Sequence, residues 1–356
     1  MTIKYQSGRR IQATSTDFGT DGAGIPAVTG GWKELTRVTL GSTSTLMTTP
    51  TFANKRYYKV LVNGIQSSGS VETGLQMNGV TGGGRYASRL SVNGGTEQTA
   101  VNYSAGIADG WFSDPNEFLS QIYITNLAGK EKLLIGNTAG ANTAGAGTAP
   151  KRMEWVGKFV PSPDADVSSI TIYGSGTFAV GSEVVVLGWD ESDTHTTNFW
   201  EELADVSLSS TNTSLDSGTF TAKKYLWVQM YQKGMTGNNT LYNFNSDTGS
   251  NYARRWRIDG GTEFTTSPTT GLMCHNAVGT QTDNFFNMFI VNNSANEKLV
   301  ISHSAYTIST GAGSAPSREE HVGKWANTSS QITSIQFDHG GSNFGIGSSI
   351  KVWGSN

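Results

Sequence analysis

Short alternating or β-branched runs recur along the chain, and no segment keeps a helical apolar period over ten or more positions. Tyr57-Tyr58-Lys59-Val60-Leu61-Val62, Gln121-Ile122-Tyr123-Ile124, Lys132-Leu133-Leu134-Ile135, Ser169-Ile170-Thr171-Ile172-Tyr173 and Glu183-Val184-Val185-Val186-Leu187 are bounded by Gly, Asn, Ser or Pro. That is the signature of short strands between turns. The same runs return later as Tyr225–Met230, Asn287–Ile290, Lys298–Ile301, Ser334–Phe337 and Ser349–Trp353. Trp200-Glu201-Glu202-Leu203-Ala204 reads as one helical turn at most, because Asp205-Val206-Ser207-Leu208 alternates like a strand.

The recurrence is a duplication of a whole domain. Trp32-Lys33-Glu34-Leu35 matches Trp200-Glu201-Glu202-Leu203, and Tyr86-Ala87-Ser88-Arg89 matches Tyr252-Ala253-Arg254-Arg255. Asn93-Gly94-Gly95-Thr96-Glu97 matches Asp259-Gly260-Gly261-Thr262-Glu263, and Val156-Gly157-Lys158-Phe159 matches Val322-Gly323-Lys324-Trp325. The offset far exceeds the ~20–50 residues of a solenoid repeat. The expected organisation is an N-terminal arm (1–30), module 1 (31–190), a polar linker (191–198) and module 2 (199–356). The expected fold class is all-β: two tandem, duplicated, jelly-roll-like β-sandwich domains behind an extended arm. A closed barrel is the alternative architecture.

Composition narrows the function. Charged residues are 15% of 356, Gly counts 44, and the net charge is −3. Turns and exposed strand faces account for so much Gly, Ser, Thr and Asn. The near-neutral charge and the absence of a long basic run argue against a specific nucleic-acid partner. One cysteine, Cys274, leaves no intrachain disulfide, and no apolar stretch approaches a membrane span. No apolar leader follows Met1, so the expectation is synthesis in a host cytoplasm, without membrane insertion.

Candidate chemistry is sparse. The histidines His195, His275, His303, His321 and His339 have no histidine counterpart in module 1, and they read as surface residues. No metalloprotease, nucleophile-elbow or zinc-cysteine motif is present. Asp190, Glu191 and Asp193 are the best metal candidates, since calcium favours clustered carboxylates, but they match no calcium-loop spacing. No cofactor is expected. The repeated acids Glu34/Glu202, Glu97/Glu263 and Glu131/Glu297 are raw material for a glycosidase, yet ion pairs and turn hydrogen bonds explain them. The repeated glycines and Phe178/Phe344 read as fold determinants, the latter plugging the sandwich ends.

The closing segment Ser334-Ile335-Gln336-Phe337 … Asn343-Phe344-Gly345-Ile346-Gly347-Ser348-Ser349-Ile350-Lys351-Val352-Trp353-Gly354 resembles the last strands of β-sandwich modules in tailed-phage and related virion proteins. Ile170–Tyr173 followed by Thr177–Gly188 shows the same pattern, and Ile3–Gln12 is similar to the start of viral structural proteins. The resemblance implies a non-enzymatic virion component in a tail, fibre, decoration or capsid shell. Its partners would be copies of itself and other virion proteins. Lys4, Tyr5, Arg9 and Arg10 of the arm would then dock on a neighbouring subunit. The alternative expectation is a receptor-recognition module binding host-surface glycan through Trp111, Trp155, Trp189 and Trp256. A glycan-degrading enzyme is a third reading.

Overall fold

The computed structural model describes residues 31–356 apart from 68–70, 113–116, 162–164, 191–192, 194–197, 235–237, 277–282, 308 and 310. The arm residues Lys4, Tyr5, Arg9 and Arg10 and the candidate ligand Glu191 lie outside the described residues. Every named element among those described is a strand.

The first twelve are β1 (Lys33–Thr39), β2 (Ser44–Thr48), β3 (Tyr57–Gly64), β4 (Val71–Met77), β5 (Tyr86–Val92), β6 (Gln98–Tyr103), β7 (Ile107–Phe112), β8 (Phe118–Thr125), β9 (Lys132–Gly140), β10 (Lys151–Phe159), β11 (Ile170–Phe178) and β12 (Glu183–Trp189). They form an eight-stranded sheet, β1-β12-β3-β8-β9-β10-β5-β6, and a four-stranded sheet, β2-β11-β4-β7.

The next twelve are β13 (Glu201–Ser207), β14 (Ser214–Asp216), β15 (Tyr225–Lys233), β16 (Thr240–Phe244), β17 (Tyr252–Ile258), β18 (Glu263–Thr269), β19 (Leu272–His275), β20 (Asp283–Val291), β21 (Lys298–Tyr306), β22 (Ser317–Trp325), β23 (Ile335–Asp338) and β24 (Ser349–Ser355). Their sheets, β13-β24-β15-β20-β21-β22-β17-β18 and β14-β23-β16-β19, repeat the first pair strand for strand. The segment from Trp200 enters β13 and pairs with β24, so sheet pairing overrides the helical turn considered for it.

Each pair of sheets closes on its own core. In the first, Tyr58, Val60, Ile122 and Val186 meet Met47, Leu75, Ile107 and Ile172 of the small sheet. In the second, Leu226, Met288 and Val352 meet Tyr242, Leu272 and Phe337. Phe178 and Phe344 are fully buried.

A third apolar cluster joins the two large sheets face to face: Leu61, Leu119, Val185 and Leu187 of the first module with Tyr225, Val291, Leu299, Ile301 and Val322 of the second. The molecule is therefore four layers deep, small–large–large–small. Strand β12 shows the consequence: Val184 and Val186 point into their own sandwich, while Val185 and Leu187 point into the junction. A β-branched run suits a strand covered on both faces.

Turn chemistry sets the hairpins. Asn93 and Gly94 have φ of 51° and 66°, and Asp259 and Gly260 have 48° and 71°. Two successive left-handed residues make the type I′ turn that matches strand twist. The Asn93 Oδ1 accepts the Arg152 amide at 2.9 Å, and the Asp259 Oδ1 accepts the Arg318 amide at 2.8 Å.

Candidate functional site

The outer faces of the two large sheets share an apolar trio in the same rows. Leu133, Ile135 and Val156 in module 1 correspond to Leu299, Ile301 and Val322 in module 2, as the matching strand registers require. Their environments differ completely. Leu299, Ile301 and Val322 are 0%, 3% and 2% exposed, packed under module 1, whereas Leu133, Ile135 and Val156 are 56%, 58% and 47% exposed.

The exposed trio floors a groove of about 800 Å³ on module 1. Trp32, Tyr57, Tyr123 and Trp189 form one wall, and Arg89, Val101 and Lys158 flank the other. Trp189 stacks on Tyr57, with ring centroids 5.4 Å apart. The exposed surface of the groove is mostly apolar.

A second, more polar cleft adjoins it. Ile135 and Val156 form part of its lining together with Glu97 and Glu154 of module 1 and His303, Arg318 and Glu320 of module 2. Burial, His321 and the cations Arg152 and Arg318 push the His303 pKa down to about 4.

The junction between modules is held by more than apolar packing. Arg152 donates to Glu263 at 2.7 Å, and Glu183 accepts from the Tyr225 hydroxyl at 2.9 Å while pairing with Lys224 at 3.1 Å. Burial acts to raise the Glu183 pKa, but Thr39, Lys224 and Arg37 outweigh it and hold the value below the ordinary carboxylate range. The Lys59 ammonium lies 3.6 Å from the Phe289 ring centroid, with Tyr123, Trp200 and Trp227 around it. Cation–π attraction is strongest when the cation is desolvated, as here. The same desolvation lowers the Lys59 pKa well below the ordinary lysine value.

The sequence candidates take different places. The Asp193 carboxylate accepts the Asp190 amide at 2.8 Å and pairs with Lys55, so turn and ion pair occupy it. No group of three or more His, Cys, Asp or Glu side chains suited to a metal occurs among the described residues. Trp155 and Trp256 are buried and unavailable for stacking on a glycan: Trp155 fills the space over Gly136, and Trp256 stacks on Phe264 at 5.4 Å. Trp111 lies in β7, and its side chain is outside the described residues. Trp189 alone of the four is placed on the groove.

The histidines also depart from a surface reading. His275, His321 and His339 are buried, His321 at the position that Trp155 fills in module 1; His303 is half-buried, and His195 lies outside the described residues. The repeated acids are ion-paired: Glu34 with Arg37, Glu97 with Arg89, Glu131 with Lys158 and Glu263 with Arg152.

The groove itself was not legible from sequence, since its residues are the same ones that module 2 buries. Two repeated asparagine staples carry no local sequence signal either. Asn126 donates to the Lys55 carbonyl at 3.0 Å and accepts the Val167 amide at 2.9 Å; Asn292 donates to the Lys223 carbonyl at 2.9 Å and accepts the Ile332 amide at 2.6 Å.

No family model matches the chain, and no curated protein matches it. Among solved structures, it is similar to the mouse laminin alpha1 chain, domains LG4-5, at 8% identity and a TM-score of 0.20, covering 91% of this chain and 90% of that one. A likeness at that score carries no argument about function.

Proposed function

We propose that this chain is a structural component of a virus particle, working without catalysis and assembling with copies of itself and other virion proteins. The observation that carries the assembly reading is the exposed trio Leu133, Ile135 and Val156, whose counterparts in module 2 are covered. A duplicated scaffold whose repeated polar residues are engaged in turns and ion pairs fits a building block better than an enzyme. The virion setting rests on the resemblance of the closing strands, and tail, fibre, decoration and shell positions are all compatible with it. The test is mass photometry and negative-stain microscopy of the full chain and of residues 31–356. Trimers, rods, closed particles or lattices support the reading. A full chain that stays monomeric at high concentration overturns it.

The stacked pair Trp189–Tyr57 at the groove rim favours one second reading, a glycan-binding platform. Aromatic faces stack on sugar rings, but the groove has few hydrogen-bonding groups to orient one. A glycan array, with Trp fluorescence as readout, decides it; no signal at any sugar removes the reading.

A further inference from the structure

The junction between the modules joins two different halves of equivalent faces. Module 1 contributes the half containing Leu119, Ala139 and Arg152, while module 2 contributes the half containing Val291, Leu299 and Val322. Each face therefore keeps the half that its sister uses. On module 1 this is the apolar groove. On module 2 it is the end carrying Tyr231, Phe285, Ala305 and Arg318.

The unused halves repeat part of the chemistry of the used ones, although Gln229 and Lys351 stand where Leu61 and Val185 stand. Phe285 stands where Leu119 stands and is 47% exposed, against 1% for Leu119. Ala305 is exposed where Ala139 is buried. The ion pair that crosses the junction, Arg152 with Glu263, has its counterparts in Arg318 and Glu97. Arg318 is 66% exposed and Glu97 52% exposed at the side chain. An apolar floor and the exposed rings of Phe285 and Tyr231 thus remain uncovered on one chain, while Arg318 and Glu97, which line one cleft, are each paired locally, with Glu320 and Arg89.

We infer that a second copy of this chain is the occupant of the groove: the Phe285 end of module 2 from one copy seats on Leu133, Ile135 and Val156 of module 1 from the next. The inference rests on the self-assembly reading and names its contact. Groove and cover are different surfaces, so the contact is heterologous and propagates until geometry closes it. Aromatic groups seated in desolvated apolar pockets commonly dominate such contacts.

The experiment uses the full chain and two exposed-site variants, Ile135→Glu and Phe285→Glu, with circular dichroism to show that each is folded. Mass photometry over a concentration series should show association weakened about tenfold or more in each variant. An equimolar mixture of the two variants is the decisive arm. Each retains one intact half of the contact, so the mixture should form dimers and nothing larger. If the wild type assembles while neither variant changes it, this contact is wrong and the self-assembly reading stands. If Ile135→Glu alone disrupts assembly and the mixture gives no dimer, groove meets groove and the heterologous contact is overturned. If residues 31–356 associate where the full chain does not, the chain's own N-terminal segment covers the groove, and the inference fails. A wild-type chain that never associates in either form overturns both.

Discussion

Glu117 carries a carboxyl group into the junction between the modules, where Asn293 donates to it at 3.4 Å. Burial pushes its pKa up to about 8. A folded-state value above the unfolded one means the native state holds the proton more tightly. Stability is then full below pH ~4.5 and is lost as pH rises towards 8, at up to about 1.4 kcal/mol per pH unit. Glu117→Gln keeps the shape and removes the titration. Chemical denaturation should show it about 2–4 kcal/mol more stable than wild type at pH 8 and nearly equal at pH 4.5. The opposite sign holds at His275, whose ring is fully buried. Burial lowers its pKa to about 4, outweighing the pull of Glu319. The unfolded chain takes up the proton first, so stability is present above pH ~6.5 and lost as pH falls towards 4. His275→Phe should flatten the acid limb of a Tm-against-pH profile; an unchanged limb would show that another group sets it.

Strand β9 shows how one position couples two. A Cβ on Gly136 would lie 2.0 Å from the Trp155 ring, its cross-strand neighbour in β10. Module 2 places Ser302 opposite His321 at the same site, a larger residue facing a smaller one. Gly136→Ser alone should therefore cost about 1–3 kcal/mol by overpacking. Adding Trp155→His should recover part of that loss, with a coupling of about 1 kcal/mol or more in a urea double-mutant cycle. Strands of this kind were readable in the sequence where both apolar content and turn signals were strong, as in β3, β8, β9 and β12. β6 (Gln98–Tyr103) was not, because it is an exposed edge strand with almost no buried side chain to impose a period. The segment entering β13 was ambiguous for a related reason: only its pairing with β24 distinguishes a strand from a helical turn.

At the scale of the whole molecule, the shared cluster makes each module part of the other's core. Burial of each large aliphatic side chain contributes about 1.5–3 kcal/mol relative to exposure. Calorimetry of residues 31–356 should show one transition, with van't Hoff and calorimetric enthalpies in agreement. Residues 199–356 alone would expose Leu299, Ile301 and Val322 and should melt at lower temperature and aggregate; two independent transitions in the intact chain would contradict this. The all-β class, the tandem duplication and the positive-φ hairpin turns follow from the sequence by itself, because strand period and turn chemistry are local and survive in each copy. Burial of the histidines, engagement of Asp193 and loss of Trp155 and Trp256 as ligand contacts came only with packing. So did the groove. Leu133 and Leu299 are the same residue in the same strand position, with opposite exposure, and no pattern within either module distinguishes them. What separates them is which half of each face the other module covers, a property of the docked pair of sheets that neither repeat encodes alone.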